Sequence, residues 1–454
     1  MTSDKILKIT DQVFNKKYLI IFSLFFFLFY WFGYYFGFSQ ISTSGEGRIL
    51  YIWTILIILY DIIRKRVPIT PLQVSLGCIA FAGALSFLLQ DHGHGLDQLF
   101  GLLHYIMLSY VFVSYSANVS RNRSRKTIIL VSMIYIYVIL FFLTISLVIY
   151  LAYRKGETFL LFPDATQLMG AARNGHIRYY GIFRHPTLLA SNAVLSMILG
   201  FYLVERKKMP FFVQIYSICI SLYLIYLSNA RSSFIELGII AIYLLYRITH
   251  KLLPQKKAGQ VFLILLLAGA ISICYVFRSK IGVYLSTLLE TSVNEQYSDP
   301  LTSGRIMIWK SALNAWKEKP VLGYGWLGSW AISDLLEANI SDCHNNFVDL
   351  MLWTGLAGTI PYILSVFFTL KKLFDNRKRY KGDSWLTIVI LTTIALSMFD
   401  IVLLDTNRLV SLIYYLCLGH LYYFKPVKNT KSAKLMSNSA KHTGSQSLTT
   451  VSSD

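Results

Sequence analysis

Four groups of polar residues, set in an otherwise apolar chain, carry side-chain types that could do chemistry. In Gly181-Ile-Phe-Arg184-His185-Pro186 a guanidinium and an imidazole precede an apolar stretch whose first turn Pro186 suits; the pair could bind an anion or simply snorkel to an interface. In Ser228-Asn229-Ala230-Arg231-Ser232-Ser233 a very short turn joins two apolar stretches. Arg231 could hold a phosphate there through forked hydrogen bonds, or the turn is an ordinary polar hairpin with a capping serine. Glu236, one turn further on, is costly in an apolar stretch unless it pairs, with Arg231 or another bundle residue. The third group runs Ser303-Gly304-Arg305, Trp309, Trp316, Pro320 and Gly323-Tyr324-Gly325-Trp326. Arg305 could neutralise an anion while aromatic rings such as Trp309 and Tyr324 stack on sugar faces, although Trp309 and Trp316 also share a helical face that would bury itself. The fourth is Cys343-His344-Asn345-Asn346, followed by Asp349. An imidazole titrates near neutrality and could activate a hydroxyl, or serve the structure alone.

Arginines and a histidine on one side of a membrane describe a site that binds a diphosphate and deprotonates an alcohol. The chain contains no Asp-x-Asp triplet, no CxxC, no HExxH and no clustered His/Cys set, so neither a metal nor a cofactor is expected. A leaving group would then be stabilised by cations of the protein itself.

The elements that must position these residues are transmembrane helices. Apolar residues make up 55% of the 454, aromatic residues 15%, and the mean hydropathy is +0.52, a profile foreign to soluble domains. Twelve apolar stretches match the roughly 30 Å of a bilayer core: Tyr18 to Gly37, Ile49 to Ile63, Pro71 to Leu89, Leu99 to Ser116, Thr127 to Ala152, Pro186 to Val204, Phe211 to Leu227, Ser232 to Tyr246, Val261 to Phe277, Phe347 to Leu370, Trp385 to Leu404 and Leu409 to Phe424. The first lacks a small-residue cleavage site, so no cleaved signal peptide is expected.

A formal charge of +20 could suggest nucleic acid, but 29 of the 43 Lys and Arg residues fall in alternate connections and the two termini, which reads as topology and excludes a nucleic-acid role. Both termini are expected to be cytoplasmic. Residues 1–424 form one membrane domain, and 425–454, rich in Ser, Thr and Lys, form a tail expected to be disordered in the cytoplasm. Two outward loops are long. One, 153–185, carries Arg154, Lys155, Arg173, Arg178 and Arg184 on the side that the orientation rule depletes; the other, 278–346, reads partly as helix. The five cysteines show no paired spacing, and no structural disulfide is expected.

The order Gly181-Ile-Phe-Arg184-His185-Pro186, Asn229-Ala-Arg231-Ser-Ser, Gly304-Arg305 with Trp309, Pro320-x-x-Gly323-x-Gly325, and His344-Asn345 with Gly355 and Gly358 resembles the O-antigen ligase and polymerase superfamily. The resemblance covers about 181–358, and the twelve-span layout with a late outward loop extends it. It implies an all-α polytopic membrane bundle similar to GT-C-type glycosyltransferases, with a large periplasmic loop containing short helices. It also implies metal-independent transfer of a glycan from undecaprenyl diphosphate to a sugar hydroxyl, at the periplasmic face of a bacterial inner membrane. By that resemblance Arg231 and Arg305 bind the diphosphate and His344 acts as base or positions the acceptor. Arg184 matches a more variable arginine, and His185, Trp309, Tyr324 and Asn345 join it as substrate-binding candidates. The implied partners are the lipid-linked glycan, an acceptor glycan or lipid A core, membrane lipids and a chain-length regulator. Asp349, following His344 at polymerase-like distance, leans the reaction toward repeat-unit polymerisation over ligation to lipid A core. A transporter of lipid-linked oligosaccharide is the non-enzymatic alternative.

Overall fold

A computed structural model describes residues 14–35, 46–89, 95–155, 169–173, 176–183, 185–253, 255–276, 305–326, 335–336, 342–376, 382–404 and 409–423. Arg184, Gly304, residues 277–303 and 327–334 of the large loop, and the tail 425–454 lie outside them.

Each of the twelve apolar stretches contains a helix among its described residues, because a chain in lipid has no water to bond and an α-helix satisfies its own backbone, and one further helix lies in the large loop. In order these are α1 (Lys16–Tyr35), α2 (Glu46–Ile63), α3 (Pro71–Leu89), α4 (Gly95–Ile106, prolonged by a π-helical turn at Met107–Phe112), α5 (Arg121–Arg154), α6 (Pro186–Glu205), α7 (Phe211–Ser228), α8 (Arg231–Leu252), α9 (Gln255–Val276), α10 (Arg305–Glu318), α11 (Asn346–Asp375), α12 (Ser384–Ser397) and α13 (Leu409–Tyr422). Among the described residues seven helices are long and apolar enough to cross a membrane, and α12 and α13 are shorter apolar helices. Phe22, Ile52, Phe81, Phe141, Tyr226 and Phe367 stay exposed on the flanks, where lipid rather than water is their natural solvent.

Three local features depart from simple spans. The expectation of an all-helical chain gives way at a two-stranded antiparallel hairpin, β1 (Met169–Arg173) and β2 (His176–Tyr179). Its signal in the sequence is the dipeptide Asn174-Gly175, a pair favoured in hairpin turns. Secondly, the stretch Trp385 to Leu404 is not one helix: α12 stops at Ser397, and Ile401, Val402, Leu403 and Leu404 run on buried but non-helical. Irregular backbone survives inside a bundle only where protein groups bond it; here the Val402 N–H donates to Asn346 Oδ1 at 2.8 Å, and the Tyr415 hydroxyl donates to the Leu403 carbonyl at 3.1 Å.

Thirdly, α11 is broken at Gly355, at φ +56° and ψ −153°. The segment Pro320 to Gly325 fills the break backbone to backbone. Tyr324 and Gly325 donate their N–H groups to the carbonyls of Leu352 and Trp353, while Leu356 and Ala357 donate theirs to Pro320 and Val321, all at 2.9 to 3.0 Å. The Pro320-x-x-Gly323-x-Gly325 series thus docks the segment after α10 onto α11. From α3, Ser86 donates to the Leu322 carbonyl at 2.7 Å, and Trp326 packs on Trp353 and Tyr105.

At the opposite end of the bundle, basic clusters from two alternate connections converge on Asp383, whose side chain is wholly buried. Arg125 grips it with two nitrogens at 2.7 and 3.2 Å, Arg206 lies at 2.5 Å and Arg121 at 3.4 Å, and His420 stands at 3.6 Å. Burial alone would raise the Asp383 carboxyl, but His420 and Arg125 hold it well below the usual carboxylate range. Asp383→Asn leaves these cations facing one another and is expected to lower stability by roughly 3 kcal/mol, read as a lower thermal unfolding midpoint in detergent. Because the carboxylate is held low, its stabilising contribution is complete above about pH 4 and disappears as pH falls further.

Candidate functional site

At the other end, five elements bring their termini together: β2, the start of α8, the start of α10, the chain entering α11 and the chain leaving α12. Each local sequence explains its placement. Asn229, left-handed at φ +47°, ends α7 and turns the chain so that Arg231 becomes the first residue of α8. Arg305 is likewise the first residue of α10, and neither helix has an acid in its first turn. A helix N-terminus carries a partial positive charge that favours anions and disfavours cations. Placing an arginine at each therefore works against helix stability and suits an anionic ligand.

The loop before α11 is built residue by residue. Asn345 caps the helix, its Oδ1 accepting from the N–H groups of Phe347 at 2.9 Å and Val348 at 3.4 Å. Asp349 Oδ1 accepts from the Cys343 N–H at 2.9 Å, and Trp309 Nε1 donates to the Cys343 carbonyl at 2.8 Å, which ties α10 to the loop. His344 sits between, left-handed at φ +51°, an uncommon conformation for a residue with a Cβ and one concentrated at functional sites. Its N–H donates to Asp342 Oδ1 at 2.7 Å. Its Nδ1 lies 2.8 Å from that same oxygen and 3.8 Å from Asp400 Oδ1.

The electrostatics follow. Burial pushes the His344 imidazole down, but Asp342 and Asp400 outweigh it and raise it to about 9, so the imidazolium persists at neutral pH. Burial also lowers Arg305 from its ordinary value; Asp400 and Asp342 oppose that, and Arg231 adds to it. Arg231, Arg305, Asp342, His344 and Asp400 thus share one electrostatic neighbourhood. Burial first, then Asp349, push the Cys343 thiol far above the usual range, which disfavours its thiolate.

Asp342, His344 and Asp400 offer ligand atoms within 4.8 Å of one another, a spacing that a divalent cation could bridge. Protonated His344 and Arg305 already supply positive charge to those two carboxylates, and we assign no ion there. An imidazolium held by carboxylates stabilises the fold fully below the ordinary imidazole pKa near 6.5, and that contribution is lost as pH rises through about 9. Asp400→Asn removes one of the two supporting charges. It is expected to bring the His344 transition down by roughly one unit, visible as an earlier alkaline limb in the pH profile of activity or stability.

The remaining sequence candidates have definite places. His185 caps α6, its Nδ1 accepting from the Thr187 N–H at 3.3 Å and lying 2.6 Å from the Thr187 hydroxyl. The Tyr324 hydroxyl donates to the Ala315 carbonyl and to Glu318 Oε2, each at 2.9 Å, fastening α10 to the docked segment. Glu236 is buried inside α8, close enough to Asp400 to feel its charge. Arg184 lies outside the described residues. Sequence reasoning missed Asp342, Asp400 and Arg178. Asp400 had a signal, an acid inside an apolar stretch. Arg178 was one of several basic residues of 153–185, and only the hairpin singles it out: the charges of Arg305 and Arg231 act on it.

The family model described as O-Antigen ligase matches residues 216–363, which include Arg231, Arg305 and His344. The chain is 27% identical over 296 residues to the "ComP-specific O-oligosaccharyltransferase" of Acinetobacter baylyi, covering 62% of this chain and 49% of that protein. It is 25% identical over 220 residues to the Rickettsia conorii protein named "Putative polysaccharide ligase", covering 45% of this chain and 49% of that one. The chain thus spans about half the length of the curated relatives it matches. Together these matches support a likeness to the O-antigen ligase superfamily, carried by the part of this helical membrane protein that holds Arg231, Arg305 and His344.

Proposed function

We propose that the chain transfers a glycan from a polyprenyl diphosphate, undecaprenyl diphosphate in bacteria, to an acceptor hydroxyl at the outer face of the inner membrane, in surface-polysaccharide assembly. The observation that carries this reading is the meeting of Arg231 and Arg305, each opening a helix, with a carboxylate-held His344 at one end of the bundle. The acceptor oxygen attacks the anomeric carbon as the bond from that carbon to the phosphate oxygen breaks. The departing diphosphate takes the electron pair, and the two guanidinium groups offset the growing negative charge. His344, a cation at neutral pH, positions the acceptor or the phosphate, and the adjacent carboxylates Asp342 and Asp400 are the proton acceptors for the hydroxyl. A single displacement inverts the anomeric centre.

Twelve crossings, a GT-C-like bundle and cytoplasmic termini fit this scheme. In this scheme the Asp383 cluster faces inward and the arginine site outward, in keeping with the alternation of basic loops.

Three acceptors are compatible with the site: a growing glycan on its carrier, toward which Asp349 leans, lipid A core, or a protein hydroxyl, the last suggested by the name of the Acinetobacter relative. Purified protein in liposomes with lipid-linked repeat units tests the class. Longer or transferred glycan supports the enzyme, whereas glycolipid that crosses the bilayer unchanged would make the protein a carrier. The surface glycan of a deletion strain separates the acceptors. Single repeat units left on core indicate a lost polymerase, and bare core with long chains retained on the carrier indicates a lost ligase. An unmodified acceptor protein beside intact lipopolysaccharide indicates a lost protein glycosylator.

A further inference from the structure

The orientation rule depletes Lys and Arg from outward loops, yet 153–185 keeps five of them, and the proposed reaction uses none that the structure describes. One of the five is placed with care. Arg178 lies on β2, opposite Gly170 in the hairpin register, so no cross-strand side chain covers it from that partner. The hairpin is anchored beside it: the Tyr179 hydroxyl donates to the Ser146 carbonyl of α5 at 2.5 Å, and β2 packs against α7, the helix whose end turns directly into Arg231. Arg178 Nε is buried and has no hydrogen-bond partner among the described residues.

We propose that Arg178 is a third anion-binding side chain of this site, held by the anchored β hairpin where it can bind the diphosphate of the lipid-linked donor together with Arg231 and Arg305. The inference rests on the diphosphate reading above and deepens it. Burial, then the positive charges of Arg305 and Arg231, weaken the hold of Arg178 on its proton. A partly buried cation beside two others, with its own Nε unbonded, makes a favourable place for an anion. A diphosphate brings two negative phosphates and enough oxygens to engage three planar forks at once.

The test is binding of undecaprenyl diphosphate to the full chain in nanodiscs, with undecaprenol and inorganic pyrophosphate as the other two probes. Arg178→Ala is expected to weaken undecaprenyl diphosphate roughly tenfold to hundredfold, the worth of one charge-assisted hydrogen bond. Undecaprenol binding should be unchanged, and pyrophosphate should weaken by a similar factor from a lower starting affinity. Arg178→Lys, which keeps the charge and loses the fork, should fall between, and its unchanged thermal midpoint guards against a misfolded alanine variant. If both Arg178 variants bind undecaprenyl diphosphate as the wild type does while Arg305→Ala does not, the inference fails and the diphosphate reading survives. If Arg305→Ala and Arg231→Ala also bind normally, the diphosphate reading itself fails. Equal weakening of undecaprenol would show that Arg178 supports the lipid groove and not the headgroup, and would overturn the inference.

Discussion

Arg305→Ala is expected to reduce glycan transfer about 10³-fold, or ~4 kcal/mol in the barrier, while leaving the protein folded and inserted. The size follows from position: Arg305 is half-buried, shares its surroundings with Arg231, Asp342 and Asp400, and opens α10 at the helix end that attracts anions. In such surroundings a cation aimed at a departing diphosphate acts with little solvent screening. Folding should not suffer, because a positive charge at a helix N-terminus is unfavourable to the helix and its removal costs none of the α10 backbone bonding. Arg305→Lys retains charge without the planar fork and should recover part of the loss. Transfer rates measured with lipid-linked donor in liposomes, alongside thermal midpoints, check both statements. Wild-type turnover by the alanine variant would remove Arg305 from the reaction.

The second large effect concerns folding. Gly355→Val is expected to abolish the accumulation of folded protein, and Gly355→Ala to cost more than about 3 kcal/mol. Two penalties coincide there. At φ +56° and ψ −153° the backbone occupies a region essentially reserved for glycine. A Cβ would also stand 2.6 Å from the Pro320 carbonyl oxygen and closer still to the Val321 carbonyl group. At Gly323, φ +63°, an added Cβ would stand a similar 2.6 Å from the Trp353 carbonyl carbon, so the two segments approach with a glycine on each. Displacing the docked segment breaks four backbone hydrogen bonds and releases α10, whose Trp309 holds the Cys343 carbonyl. Gly77→Ala provides the contrast: a Cβ at that position in α3 meets nothing within 4 Å, so the change should be neutral or stabilising by up to about 1 kcal/mol. Yield of monodisperse protein and its unfolding midpoint report both. A normal midpoint for Gly355→Ala would mean that the break in α11 is not required.

The sequence by itself determined the solvent, the helical stretches, the alternation of basic connections and three of the residues that meet at the site, Arg231, Arg305 and His344. These are legible because each depends on short-range chemistry: a run of apolar residues must satisfy its backbone internally, and a cation in a tight polar turn has few other uses. Tertiary structure alone decided which distant residues join them. Asp400 lies 56 residues after His344 and reaches it because α12 ends at Ser397 and the chain beyond is pinned by Asn346. Arg178 lies 53 residues before Arg231, and only the docking of β2 on α7 brings the two charges together. It also decided that Tyr324, Asn345 and His185 turn polar atoms toward neighbouring backbone and side chains, as fastenings and helix caps. Local sequence specifies what a side chain can do, but its partners are set by how the helices pack and where they break, which depends on contacts between residues far apart in the chain.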